Sequence, residues 1–103
     1  NHVNEGRLTL NQLINYVCEN PIKIFGIKNK GFIKEGYDAD FTIVDMNKII
    51  EIKNENIESK CKWSPFNGDK FKGTPVATII RGEVKMKDGK IIGDPSGKPL
   101  EFN

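Results

Sequence analysis

The chain has 103 residues, 37% of them hydrophobic and 29% charged, with a formal net charge of +2. That length suits one domain with a modest core, and the composition is globular rather than disordered. The lysines are dispersed among Asp and Glu, and a net charge this small does not imply a nucleic-acid or membrane partner, so none is expected; no apolar run approaches the roughly 18 residues that span a bilayer.

The start, Asn1 to Gly6, is polar and carries no signal-peptide pattern. It lacks an initiator Met, so the chain is expected to begin inside a longer, cytoplasmic protein. Cys18 and Cys61 form no Cys-x-x-Cys pair. Free thiols are the default expectation and a disulfide the weaker one. Apolar residues at 10, 13, 14 and 17 have the one-sided spacing of an amphipathic helix. Thr9 is placed to cap it. Asn20 followed by Pro21 repeats a helix-start signal, and Gly26 is placed to end that second, short helix.

From residue 31 the period becomes strand-like. Gly36-Tyr-Asp-Ala-Asp40 reads as a tight turn, and Phe41–Asp45 as a short buried strand. Residues 49–52 read as a second, weaker strand. Residues 53–75, with Asn67-Gly68 and prolines at 65 and 75, read as a long loop. Residues 74–92 read as a three-strand meander, with reversals at Gly82 and at Asp88-Gly89. The tail from Gly93 is expected to be extended or irregular.

Chemistry-bearing residues are few. His2 is the only histidine, whereas a catalytic zinc centre needs several converging ligands; an exposed or helix-capping role suits it better. Asp38 and Asp40 could form a paired-carboxylate site. Their position before a strand favours a structural role, with side chains bonding neighbouring backbone N–H groups. Cys61 lies between Lys60 and Lys62, which can depress its pKa, but no second histidine offers a base. Gly31 and Gly36 form no phosphate loop, and Ser59, Ser64 and Ser96 sit in no Gly-x-Ser-x-Gly elbow. Trp63, Phe66 and Phe71 read as anchors of the long loop, ahead of a ligand platform.

Asn20-Pro-Ile-Lys-Ile-Phe-Gly26, Gly31 and Gly36-Tyr-Asp-Ala-Asp40 together resemble the end of a metal-dependent amidohydrolase. Ser59-Lys-Cys-Lys-Trp-Ser-Pro-Phe-Asn-Gly68, with Pro75-Val-Ala-Thr-Ile-Ile-Arg-Gly82, resembles the cyclic-amide branch, dihydroorotases more than hydantoinases or allantoinases. Lys62 departs from that pattern, which carries a small residue, usually Gly. The resemblance implies an α+β fragment: residues 1–30 as closing helices of a TIM-like barrel, and residues 31–103 as the C-terminal part of a mostly antiparallel β-sandwich, with the loop at 53–75. It also implies a parent with zinc, a small cyclic amide substrate and the upstream barrel as partner. A homo-oligomer is left open. None of the family's catalytic or metal-binding motifs has a match in residues 1–103, so no catalytic, cofactor-binding or metal residue is assigned here.

The resulting expectation is a structural portion of an enzyme that interconverts dihydroorotate and N-carbamoyl-aspartate in pyrimidine biosynthesis. The rivals are a piece of a hydantoinase or allantoinase, a non-catalytic dihydroorotase-like structural subunit, and a free-standing β module. An upstream His-x-His and a late-strand Asp would mark the enzyme.

Overall fold

The computed structural model describes residues 2–103. Its chain order is a helical rod, an irregular connection and an antiparallel sheet. The rod begins at α1 (Leu10–Ile14), where Thr9 and Gln12 form a capping box: each side chain accepts from the other's backbone N–H. It continues through a π segment (Asn15–Glu19) directly into α2 (Asn20–Phe25).

Two separate helices were expected here. Residues 19 and 20 stay in helical geometry, and no side chain caps the second start. The reason lies in Pro21, which has no N–H and whose ring crowds the carbonyl four residues back. A wider π turn just before it, with the Asn20 N–H reaching Asn15 O, lets the helix pass rather than stop. Gly26, at φ 62°, ends the rod in left-handed geometry as expected.

Residues 26–40 form no strand. Gly31 sits against the rod so closely that a Cβ there would overlap Ile22 Cγ1 and stand 3.1 Å from Cys18 O. The sheet follows with order β1 (Phe41–Glu51), β2 (Lys70–Ile80), β3 (Glu83–Lys87) and β4 (Lys90–Ile91). The β2–β3 and β3–β4 reversals are the two-residue loops Arg81-Gly82 and Asp88-Gly89. Both central residues of each have positive φ, the arrangement that matches strand twist. The predicted meander is therefore present.

Two expectations about the middle of the chain are corrected. Residues 41–45 and 49–52 are not separate strands: β1 runs through both to Glu51, across a bulge at residues 46–48 opposite Gly73. The Asp45 carboxylate accepts from the Asn47 and Lys48 N–H groups and so holds that bulge. The long loop also ends earlier, at residue 69. Lys70–Thr74 pair with Asp45–Glu51 despite the nearby glycine and proline. Pro75 pairs with Val44 beside the register shift between Ile43 and Val44, the kind of irregularity at which a strand accommodates proline.

The tail is extended but pinned. Lys28 N–H donates to Glu101 O and Asn103 N–H to Gly26 O, with Ile27 and Phe102 bridged between them. Among the described residues no hydrophobic side chain is buried; Thr74, at 6% exposure, is the buried residue. The accessible surface is 8115 Å², whereas a compact chain of this mass exposes about 5,800 Å². The radius of gyration is 15.3 Å, against about 13 Å for a compact domain of this length.

Candidate functional site

The densest cluster of charged groups lies where the connection before β1 meets the β2–β3 turn. Lys30 Nζ stands 2.7 Å from Asp38 Oδ2 and 2.5 Å from Asp40 Oδ2. The other Asp40 oxygen, Oδ1, accepts from the Arg81 N–H at 2.8 Å. The Arg81 guanidinium in turn donates to Ser96 O in the tail. Asp38 N–H donates to Asn29 O, closing the connection on itself. One side of this cluster opens as a cleft of about 210 Å³ lined by Lys28, Lys30, Asp38, Arg81, Lys98 and Glu101.

The sequence expectation for the two aspartates was structural, and the geometry is that of a tether. Its partners differ from those expected. Asp40 reaches the N–H of a residue far along the chain and a lysine ten positions back, rather than its own neighbours. Lys30 and Arg81 were missed because neither stands at a motif spacing; only the fold brings them together. The electrostatics also separate Asp40 and Lys30 from acid–base catalysis. The hydrogen bonds from Lys30, first, and from the Arg81 N–H hold Asp40 below the ordinary carboxylate range. Bonds to Asp38 and Asp40 hold Lys30 above its ordinary value. Each group is thus fixed in its charged form, while a general acid or base works best with a pKa near the operating pH.

The second candidate is the loop between β1 and β2. Ile52 and Asp69 pair at its neck, where Ile52 N–H donates to Asp69 O and Gly68 N–H to Ile52 O. Above the neck, Asn54 N–H donates to Asn67 Oδ1, and Asn54 Oδ1 accepts from Ser64 N–H. Phe66 meets Phe71 edge-on, with ring centroids 6.1 Å apart, which fits the expected anchoring role. Within these residues both Trp63, at 61%, and Phe66, at 55%, remain exposed. Cys61 Sγ lies 3.2 Å from Ser59 Oγ, and its thiol faces Trp63 O. Its pKa is lowered, chiefly by the Ser59 hydroxyl and then by backbone hydrogen bonding at Trp63. The flanking lysines, expected to depress it, are not the cause. Lys62 adopts φ 50°, a region that favours glycine.

His2 is exposed; its carbonyl accepts from the Arg7 and Leu8 N–H groups, and the helix cap is Thr9. Among the described residues no three His, Cys, Asp or Glu side chains come together to hold a metal ion. The side chains present do not fit a zinc centre. Among the described residues no helix is long and apolar enough to cross a membrane.

An α+β piece with this turn and this antiparallel sheet matches the Amidohydrolase family over residues 1–85, and the chain belongs to that family. Within it, the chain is 51% identical to a dihydroorotase of Pyrococcus furiosus over 98 residues, which are 95% of this chain and 23% of that protein. An allantoinase of Desulfitobacterium hafniense is 49% identical over 78 residues, 76% of this chain and 17% of its own length. The fold superposes on L-hydantoinase (dihydropyrimidinase) from Arthrobacter aurescens with a TM-score of 0.84 and 38% identity, covering 89% of this chain and 21% of that one. The chain thus spans less than a quarter of the length of these relatives.

Proposed function

We propose that these residues are a structural portion of a dihydroorotase-like amidohydrolase. The full-length protein interconverts dihydroorotate and N-carbamoyl-aspartate, as a cytoplasmic step of pyrimidine synthesis. Residues 1–30 serve as closing helices of its barrel and residues 31–103 as the C-terminal part of its β-sandwich. Zinc, its ligands and the catalytic aspartate belong to the rest of that polypeptide. The observation that carries this reading is 51% identity to a dihydroorotase across 95% of the chain.

The exposed apolar surface supports it. Leu10, Ile14 and Val17, on the predicted inner face of the rod, are 44%, 42% and 62% exposed. Such a face needs cover, and the barrel is the cover the reading supplies. A second reading, a hydantoinase or allantoinase, is favoured by the 49% identity to an allantoinase.

The test is to express the full-length protein, load it with zinc and assay dihydroorotate, allantoin and hydantoin side by side. Turnover of dihydroorotate far above the others is the expected result. Preference for another ring amide selects the second reading. No turnover of any of the three, with metal bound and the protein folded, overturns the enzyme reading in favour of a non-catalytic subunit.

A further inference from the structure

The loop between β1 and β2 contains the chain's sole Asn-Gly step, Asn67-Gly68. Both residues are exposed. A glycine after asparagine leaves its backbone nitrogen unshielded by a Cβ, so that nitrogen can attack the asparagine side-chain amide. The new bond joins Gly68 N to Asn67 Cγ, and the bond from Cγ to the amide nitrogen breaks. Ammonia leaves, and a succinimide ring remains. Water then opens the ring at either carbonyl, giving aspartate or isoaspartate at 67.

The loop opposes each requirement of that reaction. Asn67 Oδ1 is held by Asn54 N–H at 2.8 Å, which fixes the side-chain amide away from a free swing. The attacking nitrogen, Gly68 N, is committed to Ile52 O at 2.7 Å. The Asp69 N–H closes a turn onto Phe66 O at 2.9 Å, with Gly68 at φ 89°, which fixes the backbone around the step. Asn54 in turn is locked by the bond from Ser64 N–H. We propose that Asn67-Gly68 is a deamidation site gated by this clamp: it reacts only when the neck of the loop opens. Isoaspartate would add one methylene to the main chain between Phe66 and Asp69. The turn between them and the Ile52–Asp69 pairing could not then both reform, so each event would leave the loop permanently altered.

The full-length protein should be incubated at mildly alkaline pH, natively and in urea, and the modified position mapped by peptide mass and isoaspartate detection. Two variants belong beside it. Asn54→Ala removes the acceptor for Ser64 N–H. Asn54→Asp keeps an acceptor oxygen in its place. The expected result is modification at Asn67, at least about tenfold slower natively than in urea, as local opening control requires. Asn54→Ala should move toward the urea rate and Asn54→Asp should stay near the native one. Equal rates in native buffer and urea, or Asn54→Ala reacting at the unaltered native rate, would overturn the proposal. Should Asn54→Ala fail to fold, the comparison of native and urea samples decides alone.

Discussion

Asp40 uses both carboxylate oxygens at once, one on the Arg81 N–H and one on the Lys30 ammonium. Its side chain is 33% exposed, so solvent screens the ion pair, and Asp40→Ala is expected to cost about 1 kcal/mol in urea melts. The pH dependence has a definite sign. The Asp40 carboxyl is lowered in the folded state, so its contribution is full above the ordinary carboxylate range and fades as pH falls through the folded value. Lys30 is raised above 10.5; its contribution is full below 10.5 and fades as pH rises through the folded value. Melting temperature should therefore be flat across neutral pH, and Asp40→Ala should flatten the acid shoulder. Lys62 makes the opposite case. Its φ of 50° is left-handed, so Lys62→Gly should stabilise by up to about 1 kcal/mol, strain relief being offset in part by glycine's extra unfolded-state freedom. An unchanged or lower melting midpoint for Lys62→Gly would show that the side chain itself contributes more than its strain costs.

Among the elements, the rod and the connection after it press together at Gly31, against Ile22 and Cys18, and Lys23 Nζ of the rod sits 5.8 Å from the Phe32 ring centroid. Gly31→Ala places a methyl into Ile22 at φ 81°, and the clash plus the left-handed backbone should cost about 2–4 kcal/mol. Adding Ile22→Ala should recover part of the loss, since it vacates the overlapping atoms. If the double variant is simply the sum of two losses, the clash is not the cause. This contact shows where sequence reasoning stops. The cap at Thr9, the ending at Gly26 and the two hairpin turns were legible because each is a local preference of a few neighbouring residues. The uninterrupted rod, the single long β1 and the early start of β2 were not. The rod passes the stop signal at Pro21 by a local π turn, and the two strands override theirs, at residues 46–48 and at Gly73-Thr-Pro75, by pairing with each other across the sequence. The aspartates were legible as structural, but Lys30 and the Arg81 N–H, their actual partners, become neighbours only after the sheet forms.

For the molecule as a whole, surface is the dominant fact. With 8115 Å² exposed, the chain exceeds the compact expectation by roughly two-fifths, and Ile24, Phe25, Ile33 and Ile49 are all at least 65% exposed. Apolar side chains left this open to solvent promote association wherever they lie together. The separately produced chain is therefore expected to sediment as oligomers and to bind a hydrophobic dye, and co-production with the rest of the full-length protein should suppress both. A dye-silent monomer would show that these faces need no cover.

The π segment in the rod has a geometric effect beyond letting Pro21 pass. A helix advances about 100° per residue, so one extra residue in a turn rotates everything after it by that angle. The rod is thus two half-rods set out of phase. The first, Leu10–Ile14, exposes Leu10 and Ile14, while the second brings Ile22 onto Gly31. Removing one residue from Asn15–Glu19 would bring the halves into phase and swing Ile22 away from its seat. The same rod could then no longer serve both the connection beside it and whatever covers Leu10 and Ile14.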